Sequence, residues 1–191
     1  MSKYNAEKIL EIAYLLKEVI AESLSTMEHI GNVEQTMREV MQLAGQQSLA
    51  MLLNEMGQPD AKMLPCDCGG ELSYQGQRSA TVITVFGRVR YRRAYYSGCR
   101  CGKGQALLDE RLRLNPGAVT IGLAQLLALA GIRFSYQESQ EWLREFLLFE
   151  VSENTIRQET ERMGALQAEM ERESIARSED IAWLDARARQ E

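Results

Sequence analysis

The chain has 191 residues, 45% hydrophobic and 26% charged, with three prolines, a composition that excludes a disordered chain and provides for a packed core. A net charge of −5 excludes uniform attraction to nucleic acid, but nine basic side chains against four acidic ones between Cys66 and Arg113 make the centre positive within an acidic chain. The longest apolar run, 121–130, is broken by Gly122 and Gln125 and is too short to span a membrane. The polar start at Met1-Ser2-Lys3 lacks the core of a secretory signal, so no membrane partner and a cytoplasmic location are expected.

From Asn5 to Leu24, Ile9, Ile12, Leu16, Val19 and Ile20 recur at helical spacing, widened by Leu10, Ala13 and Leu15 into a broad apolar stripe. Gly31-Asn32 reads as a break, and a second helix is expected over Val33 to Met56, stopped by Gly57-Gln58-Pro59. Residues 1–58 thus form a helical hairpin and a candidate dimerisation element. Two broad stripes need either the rest of the chain or a second copy to cover them, so a homo-oligomer is expected. The methionines of the second helix read first as filling for the helix–helix interface and second as an adaptable partner groove. His29, the single histidine, lies by the inter-helix turn, far in sequence from the cysteines, and reads as a surface residue.

Residues 59–114 hold all four cysteines. Cys66-Asp67-Cys68-Gly69-Gly70 and Cys99-Arg100-Cys101-Gly102 flank two β-rich runs around Gly87, the pattern of a zinc ribbon. Four thiolates close a tetrahedral shell, so Cys66, Cys68, Cys99 and Cys101 are the expected ligands of one structural zinc. The glycines that follow are expected to permit the positive-φ turn that aims backbone N–H groups at sulfur. The one-residue spacing within each pair is tighter than the usual two, and the other reading is a reduced, metal-free hairpin held by packing. In the second run, period-two alternation sets Arg88, Arg90 and Arg92 on one face. Such a row suits phosphate contact, and Arg78, Arg93, Tyr95, Tyr96, Arg100 and Lys103 are expected to extend it. A solvated edge guarded by its own charges is the other reading.

After Asn115-Pro116-Gly117, residues 115–164 are expected to form a helix-turn-helix bundle. Its helices are Ala118 to Ala130, apolar all round and so buried; Tyr136 to Leu147, capped by Ser135 with Trp142, Leu143, Phe146 and Leu147 inward; and one starting after Ser152. Presented to a major groove, Ser152, Asn154, Thr155, Arg157 and Gln158 are the candidate base readers, with Ile156 and Met163 on the core side. Residues 165–191 read as a long polar helix. Ile156, Met163 and Met170 are spaced by sevens, a short heptad pattern. The fold class is therefore mainly α with a small β zinc-ribbon hairpin.

Taken in order, Cys66-Asp67-Cys68-Gly69-Gly70, the run 78–87, Tyr91-Arg92-Arg93-Ala94-Tyr95-Tyr96, the run 107–112, the run 123–131 and Val151-Ser152-Glu153-Asn154-Thr155-Ile156-Arg157 resemble the N-terminal half of bacterial insertion-sequence transposases of the ISKra type, over residues 60 to 170. The resemblance implies a zinc-ribbon and helix-turn-helix unit that binds double-stranded DNA at the element's terminal repeats, in a nucleoid-associated protein. In that family the unit precedes an RNase H-like domain with a metal-binding acidic triad. Here the residues after Met163 read as helix, and Asp180 and Asp185 fall in that helix, so no strand cleavage and no catalytic residue are expected of this chain. A protein–protein interaction scaffold or a transposase-derived regulator, with a purely structural zinc ribbon, is the alternative.

Overall fold

The computed structural model describes residues 5–22 and 29–178, which are mainly helical with one small antiparallel sheet. Two compact units divide between Ala118 and Val119.

The first unit begins with α1 (Ala6–Ala21) and α2 (Ile30–Met56). Asn5 caps α1, its Oδ1 accepting from the N–H groups of Glu7 (2.9 Å) and Lys8 (3.4 Å). Gly31 and Asn32, read from sequence as a break, lie inside the first turn of α2, because the Asn32 N–H bonds back to the His29 carbonyl and opens the helix there. His29 occupies the N-cap position without a side-chain capping bond. Strand β1 (Met63–Pro65) pairs with β2 (Glu71–Thr84), which pairs with β3 (Gly87–Ser97), in the antiparallel order β1-β2-β3. A two-residue loop, Val85-Phe86, joins β2 to β3, and Thr84 Oγ1 holds it by accepting from Phe86 N and donating to the Gly87 carbonyl, each at 3.0 Å. Helix α3 (Leu107–Arg111) follows.

Buried residues in this sheet change side along its length. Near the loop, Ala80 and Val82 of β2 and Val89 and Tyr91 of β3 pack with Leu53 of α2 and Leu108 of α3. Near the cysteines, Leu72, Ala94 and Tyr96 pack with Cys66. Tyr91 and Ala94 have opposite parity on one strand, so they lie on opposite faces. The partner strand accommodates the change by a bulge between Tyr74 and Gln77, where Gly76 takes φ 104°.

The free edge of β3 is covered by α2. Gln42 and Gln46 donate from Nε2 to the carbonyls of Val85 (3.0 Å) and Arg88 (2.9 Å), Asn54 Oδ1 accepts from Arg92 N (2.7 Å), and the Gly57 carbonyl accepts from Ala94 N (2.7 Å). An amphipathic helix thus does for this edge what a fourth strand would do. Gly57 is required by proximity: a Cβ there would run into the Arg92 carbonyl.

The second unit comprises α4 (Ile121–Gly131), α5 (Tyr136–Leu147) and α6 (Glu153–Ser178). Leu123, Ala124, Leu127 and Ala130 are buried, with Leu143, Leu147, Val151 and Ile156. Contrary to expectation, α4 is not buried all round: Ile121, Leu126 and Leu129 are exposed, because two packed neighbours cover only one side of a helix. Trp142 and Phe146 also point outward, at 47% and 59% exposure, and stack on each other with ring centroids 4.2 Å apart. Ser135 and Glu138 form a capping box that starts α5. α6 runs without a break through Gly164, and Asp180, Ile181, Leu184 and Asp185 lie outside the described residues. No helix among the described residues is long and apolar enough to cross a membrane.

Candidate metal centre and basic faces

The four cysteine sulfurs lie within 4.8 Å of one another. Cys66 Sγ is 3.5 Å from those of Cys68 and Cys101, and Cys68 Sγ is 3.2 Å from that of Cys99. These are not disulfides. Zinc–sulfur bonds of ~2.3 Å in a tetrahedron put sulfurs roughly 3.8 Å apart, a spacing that falls between the short pairs at 3.2–3.5 Å and the 4.8 Å limit of the cluster. All four ligand atoms are soft thiols, a donor set that suits zinc.

Two similar turns bring the pairs together. Gly69 N donates to the Cys66 carbonyl (2.9 Å) and Gly102 N to the Cys99 carbonyl (3.0 Å), with φ of 82° and 74° at the two glycines. Gly70 serves differently from the expected positive-φ role: a Cβ on it would stand 2.7 Å from Cys99 Sγ, so the second pair closes only over a residue without a side chain. The one-residue spacing is thereby accommodated.

Backbone donors also favour thiolates. The Cys68 N–H acts on Cys66 and the Cys101 N–H on Cys99, each lowering that thiol's pKa. Crowding overrides this at Cys66, where the shared proton with Cys101, burial, and the thiols of Cys68 and Cys99 push it up to about 12. At Cys68 the thiol of Cys99, then the Gly70 N–H, bring it down to about 7. At Cys99 the Cys101 N–H is likewise outweighed by the neighbouring thiols, and the net direction is upward. Thiols this close disfavour one another's ionisation, a cost that a bound divalent cation relieves.

Arg88, Arg90 and Arg92 stand exposed on one face of β3, opposite Ile83, Thr81 and Ser79 of β2. Among the described residues no salt bridge reaches them or Arg100. The other basic candidates are placed elsewhere. Arg93 has turned to the opposite face, where it meets Asp109 at 2.7 Å, the two side chains 11% and 14% exposed, and donates to the carbonyls of Arg78 and Ser79. Arg78 shares that opposite face and lies 3.6 Å from the centroid of the Tyr95 ring. Tyr96 is wholly buried, its hydroxyl donating to the Ala61 carbonyl, and so cannot extend a basic surface. Lys103 and Arg100 sit by the cysteines, with Lys103 3.7 Å from Asp67.

In the second unit, Ser152 caps α6, its hydroxyl accepting from Thr155 N (3.2 Å) and sharing a bond with Thr155 Oγ1 (2.8 Å). Asn154, Arg157 and Gln158 are exposed, and Arg157 bonds Asn154 Oδ1 (2.9 Å) and Glu161 (3.0 Å). Residues 148–152 make the turn before α6, with Leu148 in the left-handed region (φ 57°) and Gln140 Nε2 bonding the Val151 carbonyl.

Residues 23–182 match the model of an uncharacterised protein family, UPF0236. The chain belongs to UPF0236. No curated protein matches it. The match takes in both the cysteine cluster and the three-helix unit, so both are features of the UPF0236 region of the chain.

Two contributors here escape a reading of the sequence. Asp109, in a short helix, anchors Arg93 and also accepts from the Tyr91 hydroxyl (2.8 Å). The amides of α2 cover the strand edge. Their signal was present: Gln42, Gln46 and Asn54 recur at multiples of four along one line of the helix.

Proposed function

We propose that this chain is a DNA-binding and oligomerising module of a transposase, recognising transposon-end DNA without cutting it. The observation that carries the reading is the exposed row Arg88, Arg90 and Arg92, positive in an acidic chain and without a carboxylate partner among the described residues. Like charges so placed on a strand repel one another, and an anion meeting them relieves that cost. The resemblance of residues 60–170 to ISKra-type transposases supplies the DNA class.

In this reading the four cysteines hold one structural zinc and form, with the hairpin, a zinc ribbon whose metal ties the open end of the sheet, away from the loop next to Arg88. α5 and α6 act as a helix-turn-helix, α6 presenting Asn154, Arg157 and Gln158 to base edges while Ser152 and Thr155 cap it. The exposed pairs that Arg157 makes are weak and yield readily to a better acceptor. Arg93 drops out of the contact set because Asp109 already engages it, and Arg78, its cross-strand partner, because it lies on that same other face.

Binding of terminal-repeat duplex by the zinc-loaded chain, measured over a salt series, tests this. Replacing Arg88, Arg90 and Arg92 together by Gln should flatten the plot of log affinity against log salt by about 2 to 3. Unchanged binding by that variant would sink the reading, and equal binding to scrambled duplex would sink sequence recognition. A scaffold role is favoured by one separate observation: Ile9, Leu10, Ile12, Leu15 and Val19 of α1 are all at least half exposed. Light scattering that shows a stable oligomer, with no salt-dependent DNA affinity, would select it.

A further inference from the structure

An open cleft of about 400 Å³ lies between α2 and the arginine face of β3, bounded by Asn54, Ser79, Arg90, Tyr91 and Arg92. We propose that this cleft seats one phosphate group of a nucleic-acid backbone, held by two guanidinium groups and by the uncharged donors Asn54 Nδ2 and Ser79 Oγ. The assignment to a nucleic acid rests on the DNA-binding reading above; the seat itself rests on the geometry that follows.

Arg90 and Arg92 are two residues apart on one strand, so their Cα atoms stand about 7 Å apart and their side chains leave the same face. Ser79 is the cross-strand partner of Arg92 and is exposed. Asn54 is oriented by the fold: its Oδ1 accepts from Arg92 N at 2.7 Å, which turns the Nδ2 donors away from that bond. No lining residue is a carboxylate. The cleft lies near the C-terminal end of α2, where free carbonyls would repel an anion. Most of those carbonyls are occupied: Asn54 O accepts from Gln58 Nε2, Glu55 O from Gln58 N and Met56 O from Arg111, and the following Gly57 O accepts from Ala94 N. Among the described residues, the side chains that line the cleft therefore offer donors and no carboxylate.

This arrangement separates two contributions. Arginines release counterions when they meet phosphate, and neutral donors do not. The test uses the full zinc-loaded chain with a short duplex over a salt series, and with inorganic phosphate followed by amide NMR. Ser79→Ala is expected to weaken duplex binding about tenfold with the salt slope unchanged, and Arg90→Gln to weaken it and flatten the slope by about one. Asn54→Asp keeps an acceptor for Arg92 N but sets a carboxylate in the cleft, and it should weaken binding further while thermal unfolding stays near that of the parent. If Ser79→Ala and Asn54→Asp bind duplex as the parent does, the seat is overturned and the DNA reading stands. If duplex fails to bind but inorganic phosphate shifts the Asn54 side-chain amide, and shifts it less in Ser79→Ala, the phosphate seat stands and the DNA reading falls. Silence in both titrations overturns both.

Discussion

Asp109 holds two partners at once, accepting from the Tyr91 hydroxyl and pairing with Arg93, and all three side chains are largely out of water. Removing one member of such a set leaves a buried charge without its counterpart. Asp109→Ala is expected to cost about 3–5 kcal/mol in a denaturant titration, far more than loss of the exposed Lys103–Asp67 pair. Tyr91 adds a pH dependence. Burial, then its bond to Asp109, raises its pKa above the ordinary tyrosine range. A group whose folded pKa is raised contributes stability that is complete below its unfolded value, about 10, and that is lost as pH rises through the folded value. Denaturant midpoints should therefore fall on the alkaline side of pH 10 in the parent, and Tyr91→Phe should lack that tyrosine-linked fall.

An edge strand of eleven residues with unpaired backbone groups invites pairing with another chain, and α2 answers this with side-chain amides and a close approach at Gly57. Gly57→Ala is expected to cost about 1–3 kcal/mol, because the added methyl must displace the Arg92 carbonyl or the end of the helix. Hydrogen exchange should report the loss first at the amides of Arg92 and Ala94, whose partners are Asn54 and Gly57. The same packing explains the arginine row. With Leu53 of α2 covering the Val89 and Tyr91 side, the alternate residues Arg88, Arg90 and Arg92 are left exposed on the other. Beyond them the same parity carries Ala94 and Tyr96 into a second core, and Arg93 is left beside Asp109. Period two therefore sorts Arg88, Arg90 and Arg92 from Arg93 correctly, and what failed is the expectation that Arg93 extends the row, since alternation records which side a residue faces but not which side is covered.

At the scale of the molecule, the sheet's cysteine end has a small apolar cluster of Cys66, Leu72, Ala94 and Tyr96. If the cysteines hold the zinc proposed above, that ion ties together the loops around this cluster. Incubation with a strong chelator should lower the thermal midpoint of the first unit and expose Tyr96, read as a change in tyrosine fluorescence. Cys68→Ser should bind less than one equivalent of zinc by elemental analysis. Retention of a full equivalent by a variant with all four cysteines replaced by serine would show that this cluster is not the metal site.

The sequence by itself determined the helical content, the hairpin around Gly87 and the cysteine quartet, because each is written in local periodicity or in spacing between chemically distinctive residues. It also marked Arg88, Arg90 and Arg92 as one face. Only the tertiary structure decided that Trp142 and Phe146 face outward, that Arg93 and Tyr96 belong to the interior, and that α2 closes an edge and forms one wall of a cleft beside the arginines. Those outcomes depend on which element lies against which face, and that is set by contacts between residues as distant in the chain as Asn54 and Arg92.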